Sequence, residues 1–551
     1  MPLDPAFAPH RLAPGSLPLE AARAAESLGA GPLVAPPDLP LPASLLEGAL
    51  AEVPAGLAAD GEEACRAADG SVAGLGGPAR ACLVSARHRS RVASTLEGAV
   101  SAGFGGVLLD RPDASLALGL LGAGFCTECL HDLVRHLLRE YGDHFQPVDY
   151  PALAREALAQ SSGAVGFEQL PFGRDFVRVR GAQLDRAVAA DARVARDAAR
   201  AAGRLFEVAA RFEALGPAQL ASLRHLDAAV FPAALAPGAT GIGLARLFRA
   251  ALGRRPGALS VPAGVPATLQ LAAAAAAAGI GLVGLDPGPG EDLGGVRRLA
   301  RHLASRGRAP AALSPVAECA VLYSVESDRW SGGRHRRAVE LAGEALAAQH
   351  VQAPVVWRAD AAEPPAALVL ADAVALSPRE ADEVVRYLEG GGAVLAFGEP
   401  GAVDAAGRPA GPFLPAGKPG GVKVGSGTLA ALPALAAGEG SGPPEPALVE
   451  RALGALLGRG RRAAGVSGRA RLLAVLYRSD ESLDVHLVPL GGERAQGTTL
   501  FLGVHVAGGV RRARFQAADG SDVRIPMNPS GYSLSTVLPT FDRYGVLRLP
   551  A

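Results

Sequence analysis

GVLLDRPD (Gly106–Asp113) is the stretch on which the reading of this chain turns. A short apolar run passes directly into an aspartate, an arginine and a proline. Such a run, with no polar alternation, is the pattern of a parallel strand covered on both faces. Upstream lie a poorly marked strand near His10–Pro14, PLVAPP (Pro32–Pro37) and a weak strand near Val53–Ala59. Downstream come LFEVAARF (Leu205–Phe212), LDAAVFPA (Leu226–Ala233), GALSVPA (Gly257–Ala263) and IGLVGLDP (Ile280–Pro287). Between them run helical patterns rich in alanine, leucine and arginine. Eight such units predict a closed (β/α)8 TIM barrel over residues 1–312. The segment Ala114–Arg204 is long and predicts extra helices, and insertions after barrel strands build the active-site rim.

A second pattern begins near Pro315. CAVLYS (Cys319–Ser324), APVVWR, AALVLADAVALS and AVLAFGEP read as strands, with helices over Arg334–His350 and Pro378–Gly392. This predicts a doubly wound, flavodoxin-like α/β domain over 313–445. The Gly- and Pro-rich stretch Gly398–Pro446 reads as loop and 446–470 as a linker, with Gly458–Leu472 basic. Short strands and turns over 471–551 predict a small antiparallel β-sandwich.

Composition narrows the function. Lys plus Arg and Asp plus Glu both total 54 in 551 residues, so no global field draws the chain to nucleic acid or anionic lipid. The basic cluster RHRR (Arg334–Arg337) reads as a solvated or subunit-facing patch, and no Walker pattern occurs. The N-terminus shows no secretory signal pattern. The alanine-rich run Leu269–Leu285 reads as a helix followed by a buried strand, not a membrane span. Five cysteines do not make a secreted disulfide framework. A cytoplasmic location is expected.

The cysteines carry two readings. Cys126 and Cys129 form a C-x-x-C at a turn, with Cys65 and Cys82 upstream in the same domain. Zinc takes four thiolate or imidazole ligands in a tetrahedron, and C-x-x-C supplies one edge of it. The alternative is four small buried residues in a reduced protein. Cys319 opens a strand and reads as core.

GFGGVLLDRPD (Gly103–Asp113) followed by GFCTECLHDLVRHLLREYG (Gly124–Gly142), and ECAVLYSVES with VVRYLEGGGAVLAFGEP, resemble the family 42 glycoside hydrolases and glycosidase-like relatives. These β-galactosidases have a barrel, a trimerisation domain related to class I glutamine amidotransferases, and a small β-sandwich. The resemblance implies a carbohydrate ligand and a homotrimer. It also implies a structural zinc, with Cys82, Cys126 and Cys129 at ligand positions and Gly124 at what looks like another. Cys65, His88 or His131 would complete the set.

Glycoside hydrolysis needs two carboxyl groups flanking the bond. The family places its glutamates after the fourth and seventh strands. Here the fourth strand ends in Asp110-Arg111-Pro112-Asp113 and the seventh in Ser260-Val261-Pro262-Ala263, so the chain departs from the family at both positions. Asp110 is the leading catalytic candidate, with an ion pair or loop cap as the alternative. Asp286 ends the eighth strand but also reads as a turn residue. Glu207 and Arg211 share a strand face, as inward catalytic and binding groups or as a structural pair. Arg111, Asp113, Glu168 and Arg174 are candidates for substrate contacts, and Asp175 for a contact or a helix cap. Both tryptophans lie in the second domain, leaving Tyr141, Tyr150, Phe172 and Phe176 as the barrel's main options for stacking on a sugar, mostly core. Two functions follow: a glycoside hydrolase using Asp110 with a second carboxylate, or a glycosidase-like protein that binds a glycan or serves as an assembly subunit without catalysis.

Overall fold

The apolar runs become strands β1 (His10–Arg11), β2 (Leu33–Ala35), β3 (Ala49–Val53) and β4 (Gly106–Asp110), then β5 (Glu207–Arg211), β6 (Ala228–Pro232), β7 (Gly257–Ser260) and β8 (Gly281–Val283). This is a computed structural model. It describes residues 10–11, 33–35, 46, 49–74, 77–119, 121–160, 170–233, 240–260, 268–283, 302, 313–359, 365–403, 414–415, 417–435, 444–457, 462–490 and 494–550. The order of the eight strands in the sheet is their order in the chain. Neighbours from β1 to β7 all pair parallel, which is the strand order of a (β/α)8 barrel.

β3 and β4 are buried along their whole length, as their apolar runs require. β3 ends at Val53 instead of beginning there. Pro54 has no N–H for a ladder, and the Gly56 N–H turns across to the carbonyl of Asp110 at 3.1 Å. A Cβ on Gly56 would sit 1.7 Å from the Arg111 carbonyl oxygen, so only glycine fits this crossing.

The chain divides into two compact units, 1–232 with 255–260, and 233–254 with 261–551. In the first, helix α1 (Ala86–Ala102) links β3 to β4. The insertion between β4 and β5 forms α2 (Thr127–Tyr141), α3 (Tyr150–Gln160) and α4 (Gly173–Ala201). Phe125, Tyr150, Phe172 and Phe176 pack as a buried aromatic cluster among these helices. Of Tyr141, Tyr150, Phe172 and Phe176, only Tyr141 is well exposed.

In the second unit the strands Val355–Val356, Cys319–Leu322, Ala367–Ala371, Ala393–Phe397 and Gly427–Leu432 lie parallel in that order, with Val422–Val424 antiparallel at the edge. The Gly- and Pro-rich region expected to be loop thus contributes two strands. Residues 446–470 are no linker either, since they hold the helix Pro446–Leu457 and the strand Ala464–Ser467. Their apolar residues find a sheet to cover, which local glycine content does not reveal. The RHRR cluster is only partly solvated. His335, its second residue, is fully buried, with Nδ1 on the Ala371 carbonyl at 2.8 Å and Nε2 accepting the Ser324 N–H at 2.9 Å. Cys319 is core, as expected. A four-stranded antiparallel sheet from Ala464 onward and a six-stranded one that takes Ser314–Pro315 as its edge strand share one apolar cluster that includes Leu476, Leu500, Phe515 and Leu547.

The helices Ile242–Leu252 and Arg334–Ala348 cross at paired glycines. A Cβ on Gly243 would lie 2.1 Å from the Glu340 carbonyl oxygen, and one on Gly343 would lie 2.9 Å from the Gly243 Cα. Glu344 then reaches the start of Ile242–Leu252, accepting from the N–H and hydroxyl of Thr240 at 2.9 and 2.7 Å and from the Gly243 N–H at 3.2 Å. A carboxylate at a helix N-terminus satisfies its free donors. Gly243→Val should force this crossing apart and destabilise the protein by roughly 1–3 kcal/mol, measured by denaturant unfolding. A loss no larger than that of an exposed Gly454→Val control would contradict the close crossing.

Candidate functional site

The parallel register sets Asp110, the last residue of β4, opposite Arg211, the last residue of β5. The Arg211 guanidinium donates to Asp110 Oδ1 from Nε at 2.8 Å and from Nη2 at 2.5 Å. The same Nη2 donates to Glu52 Oε1 at 2.8 Å. Arg111 Nε meets the other Asp110 oxygen, Oδ2, at 3.2 Å. Asp110 is 3% exposed and Glu52 7%, so this is a charge cluster largely removed from water. The ion-pair alternative for Asp110 is therefore the one the structure forms. Glu52 is a residue that the sequence reading misses, because a strand expected from Val53 onward begins one residue past it. A lone acid inside the apolar run ALAEV is the signal that could have found it.

Arg111 takes a left-handed backbone, φ 48°, which L-residues other than Asn and Asp seldom adopt. Its N–H donates to the Arg211 carbonyl at 2.7 Å, and its Nη1 reaches Glu213 Oε1 at 3.3 Å, where Arg80 also donates at 2.8 Å. Arg111 and Glu213 keep partly exposed side chains, and they form the accessible polar edge of this strand end. Asp113 differs from expectation. It is fully buried and cannot touch a substrate. Its oxygens accept the N–H groups of Glu213 and Ala214 at 2.8 and 3.1 Å and the Gln219 amide at 2.8 Å. Asp113 thus pins the loop after β5 to the loop after β4.

Glu207 is not brought to this cluster. It opens β5, paired with Gly106 at the start of β4. Four residues of strand, roughly 13 Å at 3.3 Å per residue, separate it from Arg211, because a shared face does not mean a shared end. Arg174 lies in the first turn of α4, half-buried. Its neighbour Asp175 does not cap that helix but accepts from Tyr141 Oη at 3.0 Å and lies 2.8 Å from His136 Nε2. Glu168 and Asp286 lie outside the described residues.

A second cluster gathers Cys65 and Cys82 from the loop before α1 with Cys126 and Cys129 at the start of α2. All four are buried, and their sulfurs lie within 4.8 Å of one another. Cys82 Sγ is 3.2 Å from Cys126 Sγ and 3.7 Å from Cys129 Sγ, while Cys65 and Cys126 are 3.9 Å apart. Hydrogen bonds from Cys126, Cys129 and Cys82 push the Cys65 thiol below its ordinary range. Cys126, Cys65 and Cys82 push Cys129 above it. One thiolate is favoured and the last is opposed, a frustration that a cation would relieve. The surroundings suit negative charge. The Gly124 N–H donates to Cys65 Sγ at 3.1 Å, and buried Arg180 donates from Nη1 to Cys129 Sγ at 3.1 Å and from Nη2 to Ser115 at 2.8 Å. Burial opposes the Arg180 charge, but the sulfurs, Cys129 first, hold it above the ordinary arginine range. Of Cys65, His88 and His131, it is Cys65 that joins the other three cysteines. Gly124 has φ 99°, and a Cβ there would lie 2.6 Å from Phe176. His88 instead bonds the Ala55 carbonyl at 2.9 Å, and His131 is exposed. These four cysteines form a group able to hold a metal ion.

No protein-family model matches the sequence, and no curated protein matches it either. Solved structures do share its fold. A β-galactosidase from Bacillus circulans sp. alkalophilus aligns with a TM-score of 0.68 and 10% identity, over 98% of each chain. A β-galactosidase from the haloarchaeon Halorubrum lacusprofundi gives 0.66 at 14% identity, over 99% of each chain. An α-L-fucosidase from Paenibacillus thiaminolyticus gives 0.62 at 13% identity, over 97% of this chain and 90% of that one. The chain therefore has the fold of these glycosidases along nearly its whole length. Among the described residues no helix is long and apolar enough to cross a membrane.

Burial raises the Asp113 carboxyl to about 6, against the hydrogen bonds that lower it. The folded state thus holds this proton more tightly than the unfolded chain, whose carboxyl titrates near 4. The resulting stability is present below about pH 4 and lost as pH rises through about 6. Asp113→Asn should therefore narrow its stability deficit against wild type as pH rises across that window, read from denaturation midpoints. Parallel pH curves for the two proteins would contradict this.

Proposed function

We propose that this chain is a carbohydrate-binding protein built on the glycosidase fold, whose strand-end carboxylates serve as a structural clamp and not as a hydrolytic pair. The observation that carries this reading is the Arg211 bridge. Asp110 Oδ1 takes two guanidinium N–H groups and Oδ2 a third donor from Arg111. A general acid must hold a proton to give away, and a nucleophile needs a free lone pair aimed at the sugar. Hydrogen bonds from two arginines oppose both roles. The partly exposed Arg111 and Glu213 beside the clamp offer donors and acceptors for sugar hydroxyls. Glycosidase structures over nearly the full chain support a carbohydrate as the ligand class.

One observation favours a second reading, hydrolysis by Asp110 with Glu52. Both carboxylates meet one nitrogen, Arg211 Nη2, at 2.5 and 2.8 Å. Their two contacting oxygens are therefore no more than roughly 5.3 Å apart, a spacing comparable to the roughly 5–5.5 Å between carboxyl groups of retaining glycosidases. A screen of the full chain against nitrophenyl glycosides, paired with a glycan array, separates the two. The expected result is glycan binding that weakens in Arg111→Ala, without nitrophenol release. Release that falls by about 100-fold or more in both Asp110→Asn and Glu52→Gln would overturn the clamp reading.

The cysteine cluster is proposed as a structural zinc site. At Zn–S distances of about 2.3 Å a tetrahedron places sulfurs roughly 3.8 Å apart, and the separations of 3.2, 3.7 and 3.9 Å bracket that value. Cys65, Cys82, Cys126 and Cys129 would hold the ion, with Arg180 and the Gly124 N–H offsetting its negative ligand set. Bound zinc supplies no reaction step here; it ties the loop before α1 to α2. Elemental analysis should find one zinc per chain, and strong chelators should lower the melting temperature of wild type but not of Cys129→Ser. Metal-free protein with an unchanged melting temperature would contradict the site.

A closed barrel, a flavodoxin-like second domain with a terminal β-sandwich, and a homotrimeric assembly complete the proposal, on the likeness to the β-galactosidases. Five free cysteines fit a reducing, cytoplasmic setting.

A further inference from the structure

The second unit contains a cavity of about 280 Å³ lined by Arg246, Arg249 and Arg254 from the helix Ile242–Leu252 and its following turn, together with Gln352 and Tyr477. No aspartate or glutamate is among its described lining residues. Arg246 is 7% exposed, and its Nη1 is buried without a hydrogen-bond partner. A guanidinium out of water needs an anion or a full set of acceptors. Two buried carboxylates act on Arg246 through space, Glu344 and Glu318, but both are otherwise engaged. Glu344 accepts from Thr240 and Gly243, and Glu318 accepts the N–H groups of Gln352 and Ala463 at 2.8 and 2.7 Å.

The other lining groups extend the same chemistry. Arg249 donates from Nη1 to the Gly279 carbonyl at 3.2 Å and from Nη2 to the Gly253 carbonyl. These bonds fix its guanidinium at the wall while leaving its charge in place. Arg254 is exposed and adds positive charge. Tyr477 is 4% exposed, and burial raises its phenol, so it stays protonated and able to donate. Gln352 gives its amide to the His350 and Ala474 carbonyls and takes the Leu476 N–H, which makes it a rigid wall and not an acceptor for Arg246.

We propose that this cavity is a binding site for a small oxyanion-bearing molecule, a phosphoryl or carboxylate compound, held by Arg246 with Tyr477 as hydrogen-bond donor. The planar guanidinium fork matches either oxyanion in a two-point contact. The site is distinct from the strand-end cluster at Asp110, and its occupancy does not depend on whether that cluster binds a carbohydrate.

The test is calorimetric titration of the full chain with inorganic phosphate and, separately, with malonate, at constant ionic strength set by chloride. Saturable binding of one equivalent is expected for at least one of them, and the preferred anion distinguishes a phosphoryl from a carboxylate ligand. Arg246→Lys keeps the charge but loses the fork, and should weaken binding by about tenfold or more. Tyr477→Phe removes one oxygen and should weaken it about threefold. No binding of either anion at millimolar concentration, or unchanged affinity in both variants, overturns the proposal. If circular dichroism shows Arg246→Lys unfolded, Tyr477→Phe decides alone, and unchanged affinity there overturns it.

Discussion

One guanidinium organises the strand ends of the first unit. Arg211 bridges Asp110 on β4 and Glu52 on β3, so three adjacent parallel strands share one buried charge centre. Removing one partner from such a cluster costs about 3–5 kcal/mol, because the remaining charge stays buried and unpaired. The backbone follows the same constraint. Arg111 adopts a left-handed turn, donates its N–H to the Arg211 carbonyl and points its side chain back to Asp110. Gly56 is held to glycine by the Arg111 carbonyl that this turn presents.

The cysteine cluster solves a different problem with the same logic of compensated charge. The loop before α1 and the start of α2 are far apart in sequence. Four sulfurs and Arg180 join them through a polar centre that the surrounding core covers. Gly124 gives its N–H to Cys65, and its φ of 99° with no room for a Cβ beside Phe176 holds that position to glycine.

The fold was legible where burial is two-sided. β4 through β7 carry apolar runs that no helix-period pattern competes with, and they lie where those runs stand, trimmed by a few residues at their ends. β3 reads late in the sequence because Glu52 interrupts its run, yet that glutamate is there to meet Arg211. The strands at Val422–Val424 and Gly427–Leu432 were hidden by glycines and prolines that turn the chain on either side of them. At the site, Asp110 and the cysteine quartet were legible because residue type and strand position sufficed. The inward pairing of Glu207 with Arg211 was not, since the period of two fixes a face but leaves the end of the strand undetermined.

A fold and a two-carboxylate reaction place different demands on a sequence. A parallel sheet in chain order asks only for apolar residues of suitable size at its covered positions, and many sequences meet that demand. This accounts for structural likeness over nearly the whole chain at 10–14% identity. Two-carboxylate chemistry asks for particular oxygens left free at particular distances. An arginine at the end of β5 is compatible with the first demand, because its charge is absorbed by Asp110 and Glu52. It works against the second, because the guanidinium takes up oxygens of Asp110 and Glu52.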